Sequence, residues 1–243
     1  MINNNLYHYT NLSTAIEYIL PNKELLINSI KNTNDPRENK SFGFGKITND
    51  STKQIEKELS DYQISERIRK KIKVICFSRD FDYKGKLIFG YNNSRMWTQY
   101  GGNHKGICIQ LDKDKFLEEN SGKKLSIEKV KYFNANQSNF PRFDFTELYK
   151  DNSYFDKFIT ENKDYLFFSK LSDWESEYEV RVFYSGVDDI LEYCNISKSI
   201  SAIYLGINFN DNYLPAIIKF IDRDLIWKLN FEFDRLMPKR LNN

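Results

Sequence analysis

Histidine is almost missing from this chain and cysteine is scarce. Two histidines, His8 and His104, and three cysteines, Cys76, Cys108 and Cys194, are spread over 243 residues. No Cys-x-x-Cys step and no Cys/His cluster can be drawn from them, so the sequence holds no structural zinc site and no metal is expected. Cys76 and Cys108 lie in apolar runs, where a free thiol packs as a small hydrophobe. An excess of one charge sign is also lacking. The 36 basic residues oppose 34 acidic ones, and a net charge of +2 gives no field that steers a protein to nucleic acid or an anionic membrane. The first five residues carry neither the basic nor the apolar part of a signal peptide, and no apolar run reaches membrane-spanning length. These absences lead to the expectation of a reduced, cytoplasmic protein with no membrane partner.

What is present suits one packed domain over residues 1–243. Hydrophobic residues make up 40% and aromatic residues 16%, enough for a sizeable core. No repeat, linker or low-complexity tract divides the chain. Alternation places a strand at 6–10, with Leu6, His8 and Thr10 on one face and Tyr7 and Tyr9 on the other. Leu12, Ile16, Ile19 and Leu20 recur at helical spacing behind a cap at Asn11 or Ser13, and Pro21-Asn22 ends that helix. A strand follows at 25–27. Asp35, Pro36 and Glu38 fit the N-cap, first helical position and capping-box position of another helix. Residues 51–73 read as a charged helix and 74–78 as a buried strand. Ser94 caps a short helix that Gly101-Gly102 closes. Further strands are expected at 107–111, with a cap at Asp112, and at 130–133, then helix across 145–168. An alternating segment at 177–184 follows, then strand at 203–205, helix at 213–221 and strand at 226–233. Strands and helices mix without regular βαβ repetition. The fold class is therefore α+β, a mixed and mostly antiparallel sheet with flanking helices.

Few residue groups could carry chemistry. On a strand, Glu177 and Glu179 would sit about 6.5–7 Å apart on one face, with Arg181 beside them as a compensating cation. Paired carboxylates suit chemistry that develops positive charge, such as the oxocarbenium ion formed when a glycosidic bond to ribose breaks. A solvated face with an ordinary Glu–Arg ladder explains the same pattern. His8 with Thr10 could hydrogen-bond a sugar or amide, or His8 could be a satisfied histidine at a core edge. Capping accounts for Asp35 and its neighbours but not for Asn34. Met96-Trp97 with Tyr100 could stack on a flat ring, although aromatics on a short helix are usually core. The basic run from Arg67 to Lys73 is interleaved with Ile68 and Ile72 and reads as a solvated amphipathic helix.

Several of these segments, taken in order, resemble the bacterial domain-of-unknown-function 2971 family. They are Leu6-Tyr7-His8-Tyr9-Thr10, Asn34-Asp35-Pro36 with Glu38, Cys76-Phe77-Ser78, Met96-Trp97 with Tyr100, and His104-Lys105-Gly106. Trp174 with Glu177, Glu179 and Arg181, and Ile203-Tyr204-Leu205-Gly206, complete the set. That family in turn looks distantly similar to the ADP-ribosyltransferase superfamily. The superfamily orders its site as His or Arg on the first strand, Ser or Tyr in the middle and Glu late in the chain. His8, then Ser78 or Tyr100, then Glu179 follow that order, and Glu177 with Glu179 is similar to the Glu-x-Glu pair of several transferases and toxins.

The resemblance implies a split sheet and an NAD-consuming enzyme. His8, with Tyr9 and Thr10 adjoining, would hold a ribose hydroxyl and the nicotinamide amide. Tyr100 or Trp97 would stack on the nicotinamide ring, while Asn34 and Asp35 line the site. Glu179 would stabilise the transition state, Glu177 would orient or deprotonate the acceptor, and Arg181 would keep the pair ionised or contact phosphate. The acceptor would be water, protein or nucleic acid. A role as a toxin or anti-phage effector, with an antitoxin or sensor partner, belongs to the same expectation. Two other classes stand beside it. One is a non-catalytic module sensing a nucleotide or phage component. The other is a metal-dependent nuclease built from Asp35, Glu38, Glu177 and Glu179, in which Arg181 stands where a lysine is usual and is a poor proton carrier.

Overall fold

The computed structural model describes residues 4–40, 42–49, 60–134, 140–186 and 190–241. Sixteen strands are described: β1 Asn5–Thr10, β2 Glu24–Ser29, β3 Gly45–Ile47, β4 Ile72–Arg79, β5 Phe81–Tyr83, β6 Lys86–Ile88, β7 Ile107–Asp112 and β8 Leu125–Lys129. Then come β9 Lys131–Phe133, β10 Arg142–Asp144, β11 Ser169–Leu171, β12 Glu179–Ser185, β13 Glu192–Asn195, β14 Ile200–Leu205, β15 Ile226–Glu232 and β16 Arg235–Arg240. Ten of them form one sheet along β13-β2-β4-β1-β7-β14-β15-β16, with β12 on β4 and β8 on β12. All pairs in this sheet are antiparallel except β14 with β15. The class is α+β, with helices flanking a mixed sheet.

Side-chain alternation divides the sheet into two faces. One face packs Leu6, Ile75, Phe77, Ile109, Val180, Val182 and Ile203 into the largest core, under the helical residues 12–22 and the helix Lys113–Glu119. The opposite face is divided. Tyr7, Tyr9, Trp97, Cys108 and Tyr204 form one aromatic cluster, and Val74 packs among Phe143, Phe158, Phe167 and other phenylalanines in a second. Between the two clusters, that face is polar.

The central irregularity concerns β4. β12 pairs with it along its length, but two strands share its other edge. β1 pairs only at Arg79 and Ser78, and β2 only at Val74 and Lys73. Residues 75–77 therefore have no strand partner on that side, and the sheet is split there. Ordinarily a buried peptide group left without a partner is costly. Here His8 compensates in part, because its Nδ1 lies 3.3 Å from the carbonyl oxygen of Cys76.

Several expectations change in detail. The first helix contains a π turn at Ala15–Ile19 and runs through Pro21 to a left-handed Lys23. Asn93 caps the short aromatic helix Ser94–Gln99, accepting from the Met96 amide, so Ser94 is its first residue. Of the charged helix expected at 51–73, residues 51–59 lie outside the described residues; the helix Asp61–Lys70 carries its second half, and Ile72 and Lys73 already belong to β4. Helix across 145–168 is broken into Phe145–Lys150, Tyr154–Glu161 and Lys163–Phe167. β8 and the final hairpin strand β16 were not expected. The two-residue turn at Phe233 and Asp234 has positive φ at both positions, the conformation of a tight hairpin, without the glycine that usually signals it. Among the described residues no helix is long and apolar enough to cross a membrane.

Candidate active site

A cavity of about 840 Å³ opens at the split. Its walls come from both faces of the sheet. His8, Ile19, Leu25 and Phe77 belong to the core face, whereas Tyr9, Cys76, Tyr100, Glu177, Glu179 and Lys170 line it from the other. By register His8 sides with Phe77, against which its ring packs edge-on at 5.8 Å, and Glu179 lies opposite Ser78 on the reverse face. A continuous sheet would have kept them apart. The split exposes both to one cavity.

Glu177 and Glu179 do not share a strand. Glu177 ends the 3-10 turn Ser172–Glu177, Tyr178 is left-handed at φ 47° and ψ 47°, and β12 starts at Glu179. A left-handed tyrosine is unfavourable on its own, but its ring stacks on Phe81 at 3.5 Å between centroids. Two anchors hold the turn. Ser78 donates its hydroxyl to the Glu177 carbonyl at 2.8 Å, and Asn93 donates to the Ser176 carbonyl at 2.6 Å. The second anchor ties the turn to the helix Ser94–Gln99, whose capping residue Tyr100 then donates its hydroxyl to Glu177 Oε1 at 2.8 Å.

The carboxylates are buried: Glu177 is 2% exposed and Glu179 3%. They are not the solvated ladder that the alternation also allowed. Lys170, on β11, places its ammonium 2.8 Å from Glu177 Oε2 and 2.7 Å from Glu179 Oε2. Arg181 binds Glu179 Oε1 through Nε and Nη2, each at 2.7 Å, and its Nη1 reaches the Phe167 carbonyl at 2.7 Å and Glu38 at 2.5 Å. The cluster is thus three carboxylates around two cations, formally one negative charge in excess. Burial works to protonate Glu179, but Arg181 and Lys170 outweigh it and hold its carboxyl well below the usual range. Burial likewise opposes the charge on Lys170, and Glu179, Glu38 and Glu177 keep it well above the usual lysine range. The Glu179 amide donates to the Tyr132 hydroxyl at 2.9 Å. Glu179 Oε2 keeps unused accepting capacity, since its ion pair with Lys170 lacks hydrogen-bond geometry.

His8 is neutral over most of the pH range, because burial lowers its pKa to about 4 against a small opposing effect of the Cys76 carbonyl. A carbonyl can only accept, so Nδ1 carries the proton and Nε2 is an acceptor. Cys76, opposite Arg181, is exposed to the cavity instead of packing in the core. Burial and then the Glu179 charge push its thiol up, so it stays protonated.

Other expected site residues lie elsewhere. Trp97 is fully buried, donates to the Tyr91 carbonyl at 2.8 Å and packs edge-on against Tyr9; it presents no face to the cavity. Ser78, Thr10 and Arg181 are buried and do not line the cavity; Ser78 and Arg181 position Glu177 and Glu179 from behind. Asn34 lines it. Asp35 is instead a buried N-cap that accepts from the Arg37 amide at 2.9 Å. Glu38 is no capping-box glutamate, since it is fully buried against Arg181. Arg37 explains its placement, donating to the Tyr165 and Ser169 carbonyls and so fixing the helix Pro36–Asn39 beneath the cluster. Of the four carboxylates of the nuclease reading, Glu38, Glu177 and Glu179 are tied to Lys170 and Arg181 and Asp35 caps a helix, and among the described residues no group of three His, Cys, Asp or Glu side chains is placed to hold a metal ion.

Lys170 is the residue that pattern reading missed. Its one signal is a lone lysine between Phe167-Phe168 and Leu171, a place where a lysine is buried only if paired.

The split sheet, the cavity that opens at it and the buried Glu–Lys–Glu bridge are set in an α+β fold. Residues 96–182 match the model of a family described as Protein of unknown function (DUF2971), and the matched stretch carries Tyr100, Lys170, Glu177, Glu179 and Arg181. His8, Asn34 and Cys76 lie outside the matched residues. No curated protein and no solved structure matches the chain.

Proposed function

We propose that the protein is an NAD-consuming enzyme of the ADP-ribosyltransferase type, which breaks the nicotinamide–ribose bond and passes ADP-ribose to water or to a macromolecular acceptor. One observation carries this reading. A carboxylate held ionised by Arg181 and Lys170 lines a cavity of about 840 Å³, within the range that encloses a small ligand. Fixed negative charge in an enclosed site favours a transition state that becomes positive, and it needs no reorganisation when the charge appears.

In this reading the C1′–nitrogen bond breaks with its electron pair passing to the pyridinium nitrogen, and neutral nicotinamide leaves. Positive charge then builds on the ribose. Glu179 stabilises it and accepts a hydrogen bond from the 2′-hydroxyl at Oε2. His8 accepts from a second ribose hydroxyl at Nε2. Tyr100 offers its ring to the nicotinamide while its hydroxyl stays committed to Glu177. Glu177 orients the incoming hydroxyl, whose oxygen bonds to C1′ and whose proton is released.

The test is nicotinamide release from NAD by the purified chain, followed chromatographically, for the native protein and for Glu179→Gln. The variant leaves two carboxylates around two cations, a balanced cluster, so the fold should persist. Its release rate should fall about 10²–10³-fold. Release at the native rate in the variant sinks the assignment. A gain in thermal stability with NAD but no release would point to the sensing module instead.

A further inference from the structure

The polar wall of the cavity is uneven in charge. Glu24, Glu177 and Glu179 line it, and Lys170 is the one cationic side chain among the described lining residues. That ammonium is already shared between two carboxylates at 2.8 and 2.7 Å. Arg181 stands behind Glu179, fully buried and engaged on both arms, and the uncharged His8 adds no cation near neutral pH. At the mouth the exposed lining residues Asn22, Asn28, Asn32 and Asn34 present amides, with the uncharged hydroxyls of Tyr18 and Tyr193 beside them. Protein sites for phosphate normally offer arginine, lysine or a helix N-terminus. A carboxylate-rich wall does the reverse, attracting a cation and repelling a phosphate in an enclosed, weakly screened space.

We infer that the cavity recognises the cationic nucleoside half of its substrate, an N-ribosyl pyridinium, and that the diphosphate and adenosine of NAD contribute little to binding. This rests on the glycosidic cleavage proposed above and narrows its substrate class. The pyridinium charge lies against the Glu177–Glu179 pair, the ribose between His8 and Glu179, and anything attached at the 5′ position leaves through the amide-lined mouth.

A substrate series that adds phosphate stepwise tests it with the native full chain. Nicotinamide riboside, nicotinamide mononucleotide and NAD are compared by kcat/KM for nicotinamide release. The riboside should lie within about tenfold of NAD, a difference of about 1.4 kcal/mol. A riboside more than about tenfold poorer than NAD overturns the inference while leaving the cleavage reading intact. Release from none of the three removes the cleavage reading, and this inference falls with it.

Discussion

Arg181 and Val182 are neighbours on β12, and they build opposite kinds of interior. Val182 points into the main core among Ile75, Phe77 and Val180. Arg181, one residue earlier and on the other face, is as completely buried, yet every contact that stabilises it is polar. The apolar face gains from removing surface from water, and its contacts are replaceable by others of similar volume. The polar face depends on partnership. Its charges were costly to desolvate, and each is tolerated only while its counter-ion is present. The same ladder thus supports a forgiving side and an unforgiving one, and the cavity takes its charged wall from the unforgiving side.

Substitutions on the two faces can break or sharpen that contrast. Arg181→Leu should be the most damaging, since it leaves Glu38 and Glu179 buried without their shared cation. A loss of about 3–5 kcal/mol is expected in urea unfolding. If Arg181→Leu is as stable as the native chain, the polar face is not held together by its charges. Val182→Ala should cost less, about 1–3 kcal/mol, from lost burial and a small void. Its nicotinamide release should stay near native at a temperature where it remains folded, because Val182 is not on the cavity wall. A large fall in rate there would mean that the two faces are coupled.

The smallest effect concerns His8, which sits where the faces meet. Its folded pKa, about 4, lies below the ordinary histidine value of 6.5. The unfolded chain therefore takes up this proton first as pH falls, and stability declines between about pH 6.5 and about pH 4. His8→Gln should remove that part of the slope. Urea midpoints measured at about pH 7 and about pH 5 should converge for the variant relative to the native chain. Equal slopes in the two proteins would show that His8 titrates normally.

Local chemistry was legible in the sequence and long-range pairing was not. The caps at Asn11, Asp35 and Asp112 follow from side chains adjacent to the amides they accept from. The alternation of β1 and β12 follows from the pleat. Glu38 was misread because a glutamate three residues after an N-cap looks the same whether it closes a capping box or meets an arginine 143 residues away. Lys170 was missed for a related reason, as its partners become neighbours only when the 3-10 turn Ser172–Glu177 folds back against β11 and brings Glu177 and Glu179 to its ammonium. The split itself depends on two strands competing for one edge of β4, which no window of sequence displays. Motif matching had a different weakness, since it does not separate chemistry from packing. His104-Lys105-Gly106 and Leu205-Gly206 stand among the matching elements, but a side chain at Gly206 would meet the His104 carbonyl at 2.1 Å. Those elements lock two chain segments together, away from the cavity.

Part of the floor of that cavity is peptide backbone. Alternate residues of a strand direct both N–H and C=O to the same edge, so Cys76, whose carbonyl meets His8, turns its amide towards the split as well. Main-chain groups are common to every residue but proline, and this portion of the surface is therefore indifferent to which amino acid stands at position 76. Replacing Cys76 changes the room above the floor and leaves its hydrogen-bonding pattern in place.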